Sequence, residues 1–165
     1  MTSDGWTSCV VALGTNQGER EETAFRALAD LRAVEGFRIT AQSSLHETVA
    51  LTSEGFDPDA PGYINQIVLL DSAWSPEQTL ARLWDVERAH GRVRTGERYA
   101  DRTLDLDLIA YGDLTLESET LTLPHPRAHE RRFVLEPWRE VDPTATLPGQ
   151  GPIAALLERM PRDSS

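Results

Sequence analysis

Residues 104–108 read Leu-Asp-Leu-Asp-Leu, a strict alternation of aliphatic and acidic side chains that a β-strand sorts cleanly. Successive strand side chains point to opposite faces, so Leu104, Leu106 and Leu108 share one side and Asp105 and Asp107 the other. A helix would spread the same residues around its circumference and bury neither set. The apolar side must therefore back onto a hydrophobic layer, and the acidic side must face water or a cation. Two residues of strand rise roughly 6.6 Å. At that spacing two carboxylates can share a pair of divalent cations, which sit about 3.5–4 Å apart in two-metal sites. Acidic residues on a solvated edge strand are the plain alternative, although Asp is depleted in strands.

The rest of the chain supplies a scaffold for such a strand. A short apolar run over 8–13 closes at Gly14 and predicts a buried strand. Helical spacing over 19–34 places Ala24, Leu28 and Leu31 on one face, with acids in the first turn where they complement the helix dipole. Phe37, Ile39, Ala41 and Leu45 alternate with mostly polar residues and predict a second strand; a third runs over 63–71. Ser75-Pro76-Glu77-Gln78 carries an N-cap Ser, a Pro at the first helical position and a Gln in the capping-box position. The helix it starts carries Leu80, Leu83, Trp84 and Val86 and stops at Gly91; Trp84 suits its core face. The Asp105/Asp107 strand completes a β-α-β-β-α-β order, the pattern of a ferredoxin-like α+β sandwich. Short strands around 114–116 and 121–123, a helix near 129–139 and a terminal helix built on Ile153, Leu156, Leu157 and Met160 follow. One domain spanning residues 1–165 is expected at this length.

Two connections, 46–60 and 91–102, exceed the usual 2–6 residues, and long loops in compact domains tend to be lids or binding loops. The second is rich in arginine. All 16 basic residues of the chain are Arg, and six of them (Arg82, Arg88, Arg92, Arg94, Arg98 and Arg102) fall within 21 positions of a protein whose formal net charge is −11. That overall charge lacks the broad positive footprint nucleic-acid binding requires. A few guanidiniums beside two carboxylates suit a small polyanion that brings its own metal. Arginine offers planar bidentate donors to phosphate, and Mg²⁺ is commonly held by one or two carboxylates plus substrate phosphates. With no Lys there is no Walker-type phosphate loop, so a nucleotide-dependent transfer needs a different scaffold. A single Cys, Cys9 in an apolar run, reads as a core residue and excludes an internal disulfide. No signal or membrane-spanning pattern precedes it, so a cytoplasmic location without nucleic-acid or membrane partners is the expectation, and the lack of a long exposed apolar stripe suggests a monomer. The four His show no zinc-ligand spacing; His46, His90 and His129 read as surface or packing residues.

Five motifs in order resemble those of the 6-hydroxymethyl-7,8-dihydropterin pyrophosphokinase family. They are Leu13-Gly14-Thr15-Asn16, Tyr63-Ile64-Asn65, Gly91-Arg92-Val93-Arg94, the run Arg102 to Asp107, and Leu123-Pro124-His125-Pro126-Arg127 continuing through His129-Glu130-Arg131 to Phe133-Val134. The resemblance covers most of the chain, from Val10 to Pro148. It implies transfer of diphosphate from ATP to the hydroxymethyl group of the pterin, with release of AMP. Asp105 and Asp107 would hold two Mg²⁺ ions, and Arg92 and Arg102 would act as catalytic residues that stabilise charge on the transferring group. Positions matching the family's nucleotide contacts are Glu87, Arg94, Leu108, Thr122, His125 and Arg131. Those matching its pterin contacts are Thr48, Leu51, Tyr63, Asn65, Tyr99 and Phe133. Phe133 and Tyr63 suit core or strand packing as well, and His125 suits a turn between its two prolines.

The first long loop departs from the family pattern. It reads Glu47-Thr48-Val49-Ala50-Leu51-Thr52-Ser53-Glu54-Gly55-Phe56, with no proline before Pro58, so its backbone is less preset. Two other readings follow: a paralogue that carries the same Mg-ATP chemistry to another hydroxymethyl heterocycle, or a non-enzymatic ferredoxin-like binding module.

Overall fold

Four main strands, counted along the chain, lie side by side in the order 4-1-3-2, the arrangement that two interleaved β-α-β units must produce. The computed structural model describes residues 5–15, 20–48, 51–52, 55–56, 63–90 and 104–160. The elements in chain order are β1 (Thr7–Thr15), α1 (Arg20–Ala33), β2 (Phe37–Gln42), β3 (His46–Thr48), β4 (Leu51–Thr52), β5 (Gly55–Phe56), β6 (Tyr63–Ser72) and α2 (Pro76–Ala89). They continue with β7 (Asp105–Tyr111), β8 (Leu116–Glu117), β9 (Thr122–Leu123), a 3-10 turn at Ala128–Glu130, α3 (Arg132–Val141), β10 (Thr146–Leu147), β11 (Gly151–Pro152) and α4 (Ile153–Arg159). The sheet runs β2-β6-β1-β7, with β3 also pairing β6, and every pairing is antiparallel.

Both crossover helices lie on one face, as right-handed connections require. There Cys9, Val11 and Leu13 of β1, Val68 and Leu70 of β6, and Leu104, Leu106 and Leu108 pack with Leu28 and Leu31 of α1 and Leu83 and Val86 of α2. The start of α2 is the capping box expected from its sequence, with the Ser75 hydroxyl accepting from the Gln78 N–H and the Gln78 side chain accepting from the Ser75 N–H. Cys9 is buried, and burial followed by the nearby Asp71 charge pushes its thiol up to about 12, which leaves it inert as a nucleophile.

The opposite face carries a second core. Val10, Ile67, Ile109 and Ala110 of the sheet meet Val134, Leu135 and Trp138 of α3 and Ile153, Leu156 and Leu157 of α4. The two C-terminal helices thus add a third layer to the ferredoxin-like sandwich. A bulge decides how far they reach along β7. Val11 pairs with Leu108 but Val10 pairs with Ala110, leaving Ile109 as the extra residue. Beyond the bulge the face that carries the acids turns apolar and is covered. Before it, Asp105 and Asp107 remain on the part α3 and α4 leave accessible.

The second strand is shorter than its alternation predicts. It ends at Gln42 rather than Leu45, after a register shift between Ile39 and Ala41. Ser43 is buried, and its hydroxyl accepts the Ile67 N–H at 2.9 Å while its own N–H donates to the Ile67 carbonyl. A side chain has replaced a ladder bond, and Leu45 is left 40% exposed instead of facing inward. Trp84 likewise lies on the exposed side of α2, because Leu83, Val86 and Glu87 take the buried stripe.

Candidate active site

Register places the decisive side chains. Across the open face, His46 of β3 pairs with Asn65 of β6, Asn65 with Gly14 of β1, and Gly14 with Asp105 of β7. One step along, Ala12 separates Ile67 from Asp107. Directly paired residues share a face, so His46, Asn65, Gly14 and Asp105 form one row across four strands. Adjacent strands are about 4.8 Å apart, which puts the Asn65 and Asp105 backbones on the order of 10 Å from each other. The strand between them offers only Gly14 and Ala12. A floor with almost no side chain lies between a buried amide and two carboxylates, and a flat ring can rest there with one edge toward Asn65.

Asp107 is exposed and Asp105 half-buried, so both can reach a ligand. Leu104 and Leu106, each at most 1% exposed, pin the strand from behind; burying one such side chain is worth about 1.5–3 kcal/mol. The strand is also held from its far edge. Glu87, in the last turn of α2 and 3% exposed, accepts the Leu106 N–H through Oε2 at 2.6 Å. Leu106 lies between the two aspartates, so this bond fixes the backbone that aims them.

His125 faces the same region. A cis peptide joins Leu123 to Pro124, and the His125 N–H donates to the Ile109 carbonyl at 2.8 Å. Its Nδ1 accepts the Arg127 N–H at 3.2 Å, which leaves the proton of the neutral ring on Nε2. Burial holds its pKa below the usual imidazole value; the Asp107 charge opposes that shift, and Arg131 and Arg127 reinforce it. The guanidinium of Arg131 also lies 5.6 Å from the Phe133 ring centre. A cleft of about 410 Å³ opens alongside, bounded by Thr122, His125, Glu117, His129, Pro148 and Gln150.

The structure thus gathers Asp105, Asp107, His125, Arg131, Thr122 and Asn65 around the open face and its adjoining cleft, with Phe133 half-buried at the start of α3. Thr48, Leu51 and Tyr63 lie on strands β3, β4 and β6, and Thr48 pairs directly with Tyr63. Two residues are placed differently from the others. Leu108 points into the core shared with α1 and α2, and the Glu87 carboxylate turns to the Leu106 backbone. Arg92, Arg94, Tyr99 and Arg102 lie outside the described residues. Three contributors were not read from sequence: the structural use of Glu87, the small floor of Gly14 and Ala12, and a cluster of Ser44, His46 and Glu140. Only Glu87 carried a local signal. It lies seven residues after Leu80, a carboxylate on an otherwise apolar helical stripe.

Among the described residues no group of three or more His, Cys, Asp or Glu is arranged to hold a metal ion. Two accessible carboxylates on one strand nevertheless fit Mg²⁺, which takes oxygen ligands and draws the remainder from waters and substrate phosphates. No helix among them is long and apolar enough to cross a membrane.

Comparison with known proteins agrees with this geometry. Residues 10–143 match the family model described as 7,8-dihydro-6-hydroxymethylpterin-pyrophosphokinase. The 2-amino-4-hydroxy-6-hydroxymethyldihydropteridine pyrophosphokinase of Synechocystis is 40% identical over 152 residues, covering 92% of this chain and 75% of that protein. The protein of the same name from Haemophilus influenzae is 32% identical over 149 residues, covering 90% of each. Among solved structures, wild-type HPPK-DHPS of Plasmodium falciparum, crystallised with pteroate, superposes with a TM-score of 0.70 at 13% identity. It matches 96% of this chain, which spans 43% of that one, and supports the fold alone. On the family model and these relatives, the chain belongs to the 7,8-dihydro-6-hydroxymethylpterin-pyrophosphokinase family.

Proposed function

We infer that the protein transfers the β,γ-diphosphate of ATP to the hydroxymethyl group of 6-hydroxymethyl-7,8-dihydropterin, releasing AMP, as one step of folate biosynthesis. The observation that carries this reading is the row Asn65–Gly14–Asp105, which sets an amide and a carboxylate at the two ends of a floor without side chains. The Asn65 amide offers both a donor and an acceptor to the heterocycle edge. Asp105 and Asp107 hold two Mg²⁺ ions at the other end, and the ions supply charge neutralisation to the phosphates. His125, neutral with its proton on Nε2, offers a donor rather than a charge to a phosphate oxygen. Phosphoryl-type transfer depends mainly on positioning and charge stabilisation. Arg92 and Arg102 are assigned the stabilising role, and Arg94 and Tyr99 belong to the same arginine-rich stretch of sequence. Thr48 and Leu51 contribute backbone contacts to the pterin, and Tyr63 and Phe133 aromatic surface. Thr122, Arg131, Glu87 and Leu108 frame the nucleotide, with Glu87 and Leu108 acting through the backbone they hold. Residues 1–165 act as one domain, in a cytoplasmic monomer.

The test is AMP formation from Mg-ATP with and without the pterin. Pterin-dependent AMP is the expected result. ATP binding without pterin-dependent turnover would assign the proline-free 47–56 segment to a different acceptor, and no ATP binding would overturn the enzymatic reading.

A further inference from the structure

The edge of the sheet beside Asn65 is tied to α3 through one carboxylate. Glu140, in the last turn of α3, accepts three donors from a three-residue stretch. The Ser44 N–H reaches Oε2 at 2.7 Å, the Ser44 hydroxyl reaches Oε1 at 2.8 Å, and His46 Nε2 lies 2.8 Å from Oε1. An ionised carboxylate only accepts, so His46 donates from Nε2 and the plane of its ring is set. Hydrogen bonding from His46, then from the Ser44 backbone, holds the Glu140 carboxyl below its ordinary range. It is therefore ionised and fully engaged at neutral pH.

The location gives this cluster a purpose beyond packing. Gln42 pairs with Val68 and His46 with Asn65, so four steps on the edge oppose three on β6. The extra residue turns His46 onto the face of Asn65, Gly14 and Asp105. His46 and Asn65 are direct cross-strand neighbours, with Cβ atoms about 5 Å apart. His46 thus flanks Asn65 on the outer strand of that face. β3 continues from it to Thr48, where the atypical 47–56 segment begins. The ladder is broken at 43–45, so the stretch that places His46 leans on Ser43 and on Glu140.

We propose that Glu140 is a positioning residue for the acceptor: by fixing Ser44 and His46 it sets the width of the pterin half of the site and leaves the metal half untouched. The proposal rests on the diphosphotransferase reading. The experiment is steady-state kinetics of the full chain, varying pterin at saturating Mg-ATP and then ATP at saturating pterin. Glu140→Ala is expected to raise the pterin KM roughly five- to tenfold, while kcat and the ATP KM stay within about twofold. His46→Ala should give a rise of the same kind. The double variant should be no worse than the more affected single one, because both changes remove one coupled unit. An unchanged pterin KM, an equal rise in both KM values, or independent multiplication of the two single effects would overturn the proposal. Thermal melting separates misfolding from function. If Glu140→Ala melts below the assay temperature, Glu140→Gln keeps a carbonyl acceptor for Ser44, and a smaller rise confined to the pterin KM is then expected. A wild-type chain that forms no pterin-dependent AMP overturns the activity reading first, and the proposal with it, before any variant is made.

Discussion

The strand bearing Asp105 and Asp107 and the edge bearing His46 share one open face of the sheet but are held by opposite means. The acidic strand is fastened by apolar burial. Leu104, Leu106 and Leu108 sink into the core beneath α1 and α2, and one buried carboxylate, Glu87, holds the backbone between the acids. The far edge is stitched by polar groups. Its ladder breaks twice, and Ser43 and Glu140 supply bonds that an unbroken strand would have made for itself. Apolar burial resists change in many small contacts, whereas a polar stitch depends on a few groups and fails when one is lost. Under the proposed activity the site would hold metal and triphosphate in one geometry yet accept a particular heterocycle, and it gains from fixing the first half and leaving the second adjustable.

This contrast can be broken most directly at Asp107. The side chain is exposed, so Asp107→Ala should leave the melting temperature nearly unchanged, yet cut turnover by about 10³-fold or more. Near-normal turnover in that variant would remove the metal role from the acidic strand. Next in size is Glu87→Ala, which leaves the Leu106 N–H buried beside the aspartates without its acceptor. Urea denaturation should show a loss of about 2–3 kcal/mol, accompanied by slower turnover; a loss below about 0.5 kcal/mol would mean that β7 needs no such support. Ser43→Ala removes the acceptor of the Ile67 N–H on the other side. A cost of about 1–2 kcal/mol is expected, with the pterin KM affected before kcat. If kcat fell first, the two halves would not be separable.

The smallest effect is a titration. Burial sets the folded-state pKa of His125 below its unfolded value. As pH falls, the unfolded chain takes up the proton first, so stability present above about pH 6.5 is lost as pH drops through the depressed folded pKa. NMR of the imidazole protons in the free protein should place the midpoint below 6.5. A midpoint above that value would mean the Asp107 charge outweighs desolvation, and that the ring faces the metal half as a cation.

Much of this was legible in the residues. Alternation at 104–108 set the two faces of β7, the Ser75–Gln78 box started α2, and the order of periodicities yielded the β-α-β-β-α-β succession. Such features are local or follow from chain direction, and short-range sterics and hydrogen bonding suffice to write them. Leu45 and Trp84 went astray for a common reason. Leu45 falls beyond the end of β2, after a register shift, and Trp84 sits on α2 beside Leu83, Val86 and Glu87, which take the buried face; period alone cannot register an added residue or rank two candidates for one face.

The sequence by itself determined that two carboxylates would stand on the polar side of a core-backed strand, and its motifs pointed to the family, because alternation and motif are properties of neighbouring residues. Only the tertiary structure decided what lies opposite them. Strand register, reached across separations of 19, 51 and 91 residues and adjusted by three bulges, set Asn65 and His46 in line with Asp105 over a bare glycine. It also turned Glu87 inward and bound Glu140 to Ser44. Long-range pairing answers to the packing of the whole sheet, and no local pattern encodes it.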